Sequence, residues 1–208
     1  MLWDMDGTLV DSRALHWRSW QEALAAEGVS VTEREFLATF GQRNDRILGA
    51  WLGAGAAAER IARVGDAKEA AYRRLVAEEG LSPLAGAAEW VRRLAAGGWK
   101  QAVASSAPRL NVETVLEVIG LERWFGALVS AEDVRHGKPD PEVFLAAAQR
   151  LGVPPTRSVV VEDAEHGLEA ARRGGMRAIA VGGVRGGDVS VGSLADLPPD
   201  AFERLVKP

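Results

Sequence analysis

Cysteine is missing from this 208-residue chain, and histidine occurs only three times. The first absence excludes disulfides, thiolate nucleophiles and cysteine metal sites. The second leaves too few imidazoles for an all-histidine zinc centre, so any metal has to be held by oxygen. No apolar run approaches the ~20 residues needed to span a bilayer, and the first residues lead into acidic ones instead of the basic start of a signal peptide. A cytoplasmic protein with no membrane partner is expected, with a monomer as the default. No long basic block occurs either: 25 Lys and Arg stand against 29 Asp and Glu, a net charge of -4. That balance offers no electrostatic footprint for nucleic acid, while a small anionic substrate stays compatible with it. The hydrophobic fraction of 47% over this length supports one substantial core with a smaller appendage.

The feature that is present lies at the start. In Leu2-Trp3-Asp4-Met5-Asp6-Gly7-Thr8-Leu9 two carboxylates stand two residues apart at the end of a short apolar segment. If residues 2–5 form a buried strand, alternation points Asp4 and Asp6 the same way, and Gly7 permits a sharp turn. Like charges this close call for a divalent cation or a shared proton, although a D-x-D tripeptide alone also occurs as a solvated turn. A helical block follows. Leu15, Trp20 and Leu24 mark one face over 13–27, and Thr32 with Glu35 predicts a capping box for a helix ending near Thr39. Ile47, Leu48, Trp51 and Leu52 give another apolar surface, and residues 56–79 are helical in pattern with Gly65 as an interruption.

Beyond Gly80 the pattern alternates. Helices are expected at 87–96, 109–119, 141–151, 164–173 and 199–206, and strands at 101–105, 127–130, 158–161 and 177–181, with an edge strand in the glycine-rich 182–192 segment. The expected fold is therefore α/β, a Rossmann-like parallel sheet core (1–14 and 80–208) with an inserted all-helical cap domain (15–79), linked near 10–14 and 79–84. Chemistry-bearing residues follow the carboxyl ends of the strands, where open α/β sheets bind ligands: Asp4 and Asp6, Ser105 and Ser106, Lys138 between Gly137 and Pro139, and Glu162-Asp163. Asp163 can complete an acidic cluster suited to Mg²⁺, or one of the last pair can merely cap the next helix. Of the tryptophans, Trp20, Trp51, Trp90, Trp99 and Trp124 read as packing residues, whereas Trp3 and Trp17 flank the motifs at the cleft edge.

Four separated motifs together resemble the haloacid dehalogenase-like phosphohydrolase superfamily, in particular its capped branch with β-phosphoglucomutase and sugar-phosphate phosphatases. Asp4-Met5-Asp6-Gly7-Thr8-Leu9 is similar to the nucleophile loop, Ser105 to the hydroxyl motif, Lys138 in Gly137-Lys138-Pro139-Asp140-Pro141 to the lysine motif, and Glu162-Asp163 to the closing acidic pair. The resemblance implies an aspartyl-phosphate formed on Asp4, with Asp6 as acid and base and Ser105 and Lys138 on the phosphoryl oxygens. It implies Mg²⁺ held by Asp4, the Asp6 carbonyl and Asp163, with Glu162 behind them, and it implies a small phosphorylated metabolite as partner. In the cap, His16, Gln42, Arg43, Asn44 and Lys68 stand where that branch meets its substrate; Ser106 and Arg109 are the core candidates. Solvated surface positions are the alternative for His16, Arg43 and Lys68. Ala107, Pro108 and Arg109 depart from the Ser-Lys-Asn with which the mutase grips a distal phosphate, which favours hydrolysis; a phosphomutase and an inactive phosphometabolite-binding protein are the alternatives.

Overall fold

The computed structural model describes residues 1–53 and 55–206; Ala54, Lys207 and Pro208, which fall in the expected cap and core ranges, lie outside the described residues. Six strands form one sheet in the order β3-β2-β1-β4-β5-β6: β1 (Leu2–Trp3), β2 (Ala102–Ala104), β3 (Ala127–Val129), β4 (Val159–Glu162), β5 (Arg177–Ala180) and β6 (Val189–Ser190). Every pairing is parallel, with Leu2 opposite both Ala102 and Val160. Parallel sheets are covered on both faces, and this explains why the inner strands are nearly continuous apolar runs instead of alternating with polar residues, Arg177 of β5 and the edge strand β6 being exposed. Trp3, Val103, Val159, Val161 and Ile179 pack with α5 (Ala87–Ala96), α6 (Arg109–Val118) and α9 (Ala201–Val206). Leu2, Ala102, Ala104, Val160 and Ala178 face the other way, onto α7 (Glu142–Leu151) and α8 (Glu165–Arg173). The two-residue period along each strand distributes the side chains between these layers.

The inserted block consists of α1 (Arg13–Ala25), α2 (Glu33–Thr39), α3 (Asn44–Trp51) and α4 (Ala58–Glu79). It has an apolar nucleus of its own, built from Trp20, Ala23, Leu24, Phe36, Ile47, Leu48 and Val64. The base of α4 behaves differently: Tyr72, Leu75 and Val76 join the sheet's cluster and anchor the insertion to the core. The capping box on α2 forms as expected, with the Thr32 hydroxyl accepting from the Glu35 N–H and the Glu35 carboxylate accepting from the Thr32 N–H. Gly65 does not interrupt α4. It faces α3, where an added methyl group would make an ordinary contact 3.6 Å from Leu48 Cδ1, and the helix runs through it unbroken. Among the described residues no helix is long and apolar enough to cross a membrane.

Candidate active site

The central strand β1 has β2 on one side and β4 on the other, so its carboxyl end opens at the point where the chain reverses its progress across the sheet. Asp4 leaves that end with its N–H still on the Val161 carbonyl (3.0 Å). The chain then turns within Met5 to Val10: Gly7 takes φ +92°, its N–H donates to Val10 O at 2.7 Å, and Leu9 N–H returns to Met5 O at 2.8 Å. Gly7 is required twice over. A side chain is strained at that φ, and a Cβ would lie 2.0 Å from Asp163 Oδ2. Gly167 does the same for the neighbouring acid, since a Cβ there would meet Glu162 Oε2 at 2.0 Å. The two glycines thus seat the two carboxylates that follow β4.

Asp4, Glu162 and Asp163 each offer an oxygen within 4.8 Å of the others. Lys138 reaches them from the loop before α7, donating to Asp4 Oδ1 at 2.5 Å and to Glu162 Oε2 at 2.7 Å. Glu162 also accepts the N–H groups of Asp163 and Ala164 through Oε1, so its oxygens are committed to positioning the lysine and the start of α8. Burial and the charge of Glu162 push Asp4 well above the ordinary carboxylate range, against the pull of Lys138. Burial and Glu162 push Asp163 up to about 7. Burial by itself would depress the Lys138 ammonium, but the charges of Asp4 and Glu162 outweigh it and hold it above its usual value. Three converging carboxylates against one ammonium leave surplus negative charge with an all-oxygen donor set, which suits a hard divalent cation.

Asp6 faces a second network. It accepts from Ser12 Oγ at 2.5 Å and lies 3.3 Å from His16 Nε2. The other ring nitrogen, His16 Nδ1, faces the Lys68 ammonium at 2.9 Å and must accept from it, which places the ring proton on Nε2, toward Asp6. Burial and then Lys68 keep the His16 pKa below normal, consistent with that neutral ring. Burial would raise Asp6, yet His16 and Ser12 outweigh it and hold the carboxyl below its ordinary value. His16 is stacked on Tyr72 with centroids 3.9 Å apart, and Lys68 is 2% exposed; neither is a solvated surface residue.

These groups line a partly open cleft between cap and core with about 60 Å³ of water-accessible space. Asp4, Asp6, His16, Gln42, Asn44, Lys68, Ser105, Ser106, Glu162 and Asp163 all line it. Ser105 is held by its N–H on Val129 O and by its hydroxyl oxygen, which accepts from the Ala107 N–H at 3.0 Å. Two expected substrate residues are placed elsewhere. Arg43 is drawn to the core loop after β3, where its guanidinium donates to the carbonyls of Ala131 (2.8 Å) and Val134 (3.2 Å). Arg109 sits at the start of α6 with its guanidinium on Asp133 at 2.5 Å, facing a different surface groove.

The motifs did not point to several lining residues. Trp20, one helical turn beyond His16, lines the cavity, whereas Trp3 is buried under the sheet and donates to Gln101 Oε1. The i, i+4 spacing of His16 and Trp20 was the available signal. Glu69, beside Lys68, and His166, in the first turn of α8, also line the cavity, as do Phe36, Thr39 and Phe40. His166 Nε2 lies 3.3 Å from Gly41 O, a second link between core and cap.

A parallel sheet with a helical insertion over an acidic cluster at its carboxyl edge defines a Rossmann-like α/β enzyme core with a helical cap. The family model described as haloacid dehalogenase-like hydrolase matches residues 1–181, and the chain belongs to that family. It is 33% identical over 183 residues to the fructose-1-phosphate phosphatase YqaB of Escherichia coli, covering 87% of this chain and 95% of that one. It is likewise 33% identical to hexitol phosphatase B of Escherichia coli, over 86% of this chain and 82% of the relative. Among solved structures, CbbY from Rhodobacter sphaeroides in complex with xylulose-(1,5)bisphosphate superposes with a TM-score of 0.85 at 28% identity, covering 94% of each chain.

Proposed function

We propose that this enzyme is a Mg²⁺-dependent phosphatase of small phosphorylated metabolites, sugar or sugar-alcohol phosphates, acting through an aspartyl-phosphate on Asp4. The observation that carries this is the convergence of Asp4, Glu162 and Asp163 around Lys138 at the end of β1, with a second carboxylate, Asp6, turned toward the cap. The phosphatase relatives support the reaction class, and residues 15–79 as cap over a core of 1–14 and 80–208 supply the cleft.

In the first step an Asp4 oxygen attacks phosphorus, the ester P–O bond breaks, and the departing alkoxide takes a proton from Asp6. Asp6 is ionised before substrate arrives; the incoming phosphate dianion raises its proton affinity and so prepares it as an acid. In the second step Asp6 accepts a proton from water, the water oxygen bonds to phosphorus, and the bond to Asp4 breaks to release phosphate. Ser105 and Lys138 stabilise charge on the phosphoryl oxygens. Asp4, Asp163 and the Asp6 carbonyl would hold Mg²⁺, with Glu162 fixing Lys138 behind them. When bound, the ion offsets the surplus carboxylate charge and that of the phosphate. Cytoplasmic residence and a monomeric state accord with this reading.

Two measurements test it together. Wild-type protein with Mg²⁺ should release phosphate from members of a panel of sugar and sugar-alcohol phosphates, and D4N should be nearly inactive on the same panel because an amide does not form the acyl-phosphate. Near-normal turnover by folded D4N, or conversion of β-glucose 1-phosphate to glucose 6-phosphate without phosphate release, would refute the proposal.

A further inference from the structure

The cap wall of the cavity carries a carboxylate that the phosphoryl chemistry does not use. Glu69, on α4, is 5% exposed, and each of its oxygens meets a donor. Oε1 accepts from Lys68 Nζ at 2.9 Å and from Asn44 Nδ2 at 2.6 Å, and Oε2 accepts from Asn111 Nδ2 on the core helix α6. The Asn111 amide is oriented by Arg73, whose Nη1 donates to its Oδ1 at 2.8 Å. A carboxyl surrounded by donors alone has no use for a proton, so Glu69 stands in the cavity as a fixed anion.

Glu69 also engages the cation of the cavity. Among the described residues lining it, Lys68 is the one ammonium or guanidinium, and its hydrogen bonds are to Glu69 and His16 Nδ1. The zone beyond the reacting phosphate therefore offers no uncommitted cation to a second phosphate, and Glu69 adds a fixed negative charge there; Arg43, on the cap between Gln42 and Asn44, has its donors on the Ala131 and Val134 carbonyls. What remains there is neutral: the Gln42 amide, the Thr39 hydroxyl and the apolar faces of Trp20, Phe36, Phe40 and Ile47.

We propose that Glu69 determines specificity by restricting the substrate to monophosphate esters of uncharged, hydroxyl-bearing molecules and rejecting bisphosphates. This rests on the phosphatase reading and narrows it. It also disfavours the mutase. There the phosphoryl group leaves Asp4 for a second hydroxyl of a phosphosugar while that hydroxyl's proton passes to Asp6, and the product of that step is a sugar bisphosphate that the site must hold.

The test compares fructose 1-phosphate with fructose 1,6-bisphosphate. Turnover is measured on wild type with Mg²⁺, and affinity by calorimetry on D4N and on D4N/E69Q. A like charge a few ångströms from the second phosphate corresponds to about ten-fold or more in the ratio of affinities. The monophosphate should be preferred by at least that factor, and the preference should shrink several-fold with E69Q. Equal affinity for the two esters, or a preference unchanged by E69Q, overturns the proposal. So does tight bisphosphate binding that R46A or R135A abolishes, since the second phosphate would then lie in the neighbouring groove lined by Arg46 and Arg135. If D4N shows the expected preference while wild type hydrolyses neither ester, the phosphatase reading fails and the ligand assignment stands.

Discussion

Replacing Lys138 with methionine keeps a stem of similar length and removes the ammonium that lies 2.5 Å from Asp4 and 2.7 Å from Glu162, at a side chain only 2% exposed. Two buried carboxylates and the half-buried Asp163 then face one another with no protein cation among them. Breaking a buried ion pair by deleting one partner costs about 3–5 kcal/mol, because the remaining charge keeps its desolvation penalty. For a chain of this size each kcal/mol moves Tm by roughly 2–4 °C, so K138M in a chelator should melt about 6–20 °C below wild type. Excess Mg²⁺ should recover part of that loss by restoring positive charge to the cluster. Turnover should still fall by about 10²-fold or more, since the metal does not replace a donor aimed at the transferring oxygens. The assay is thermal unfolding of both proteins in EDTA and in Mg²⁺, with phosphate release measured alongside. The reasoning is refuted if K138M melts within a degree or two of wild type in chelator, because Lys138 would then not be balancing the carboxylates.

Three further outcomes are expected. Asp163 has an ordinary value of 3.8 and is raised to about 7 in the folded protein, so between those values the folded state binds the extra proton. In chelator, the stability of wild type relative to D163N should thus fall as pH rises from about 4 to about 7 and level off above; a flat difference across that range in paired denaturant titrations would show that Asp163 is not raised. G7A adds a methyl group where Asp163 Oδ2 lies 2.0 Å away at φ +92°, so the Mg²⁺ concentration for half-maximal activity should rise at least several-fold, and an unchanged metal titration would contradict the seating role of Gly7. R43A removes the cap's hydrogen bonds to Ala131 and Val134, so kcat/KM should drop by a similar factor on a sugar phosphate and on a small generic ester; a loss confined to the sugar phosphate would instead mean that Arg43 grips the substrate.

The sheet was legible because burial on both faces leaves a plain mark, short β-branched or apolar runs such as Val159 to Val161 ended by an acid or a serine. The Thr32–Glu35 box was legible because a cap depends only on residues three apart. Gly65 misled because glycine's helix-breaking tendency is a local preference of about 1 kcal/mol, which the packing of α4 against α1 and α3 overrides. Trp3 was assigned to the cleft edge from its proximity to Asp4 in sequence. In a strand that proximity says little, since adjacent side chains face opposite layers, and Trp3 turns toward Gln101. The core motif residues meet as expected because each follows a strand of the same sheet. Glu69 was not legible, since the docking of the cap brings it into the cavity and no short pattern encodes that, whereas the signal for His166 was its place three residues after Asp163, in the first turn of α8. Arg109 was diverted by Asp133, a partner 24 residues away.

The cleft between cap and core is narrow and only partly open. It is bridged by contacts made without substrate: Arg43 on the Ala131 and Val134 carbonyls, His166 beside Gly41, and Glu69 on Asn111. Where these part to admit a sugar phosphate and part again to release phosphate, each catalytic cycle contains two mechanical events in series with the chemistry. The seam between cap and core then acts as a clock. When bond-making is fast, the maximal rate should respond to solvent viscosity, and weakening the seam outside the acidic cluster should speed release while exposing the phosphorylated aspartate to stray water and other acceptors.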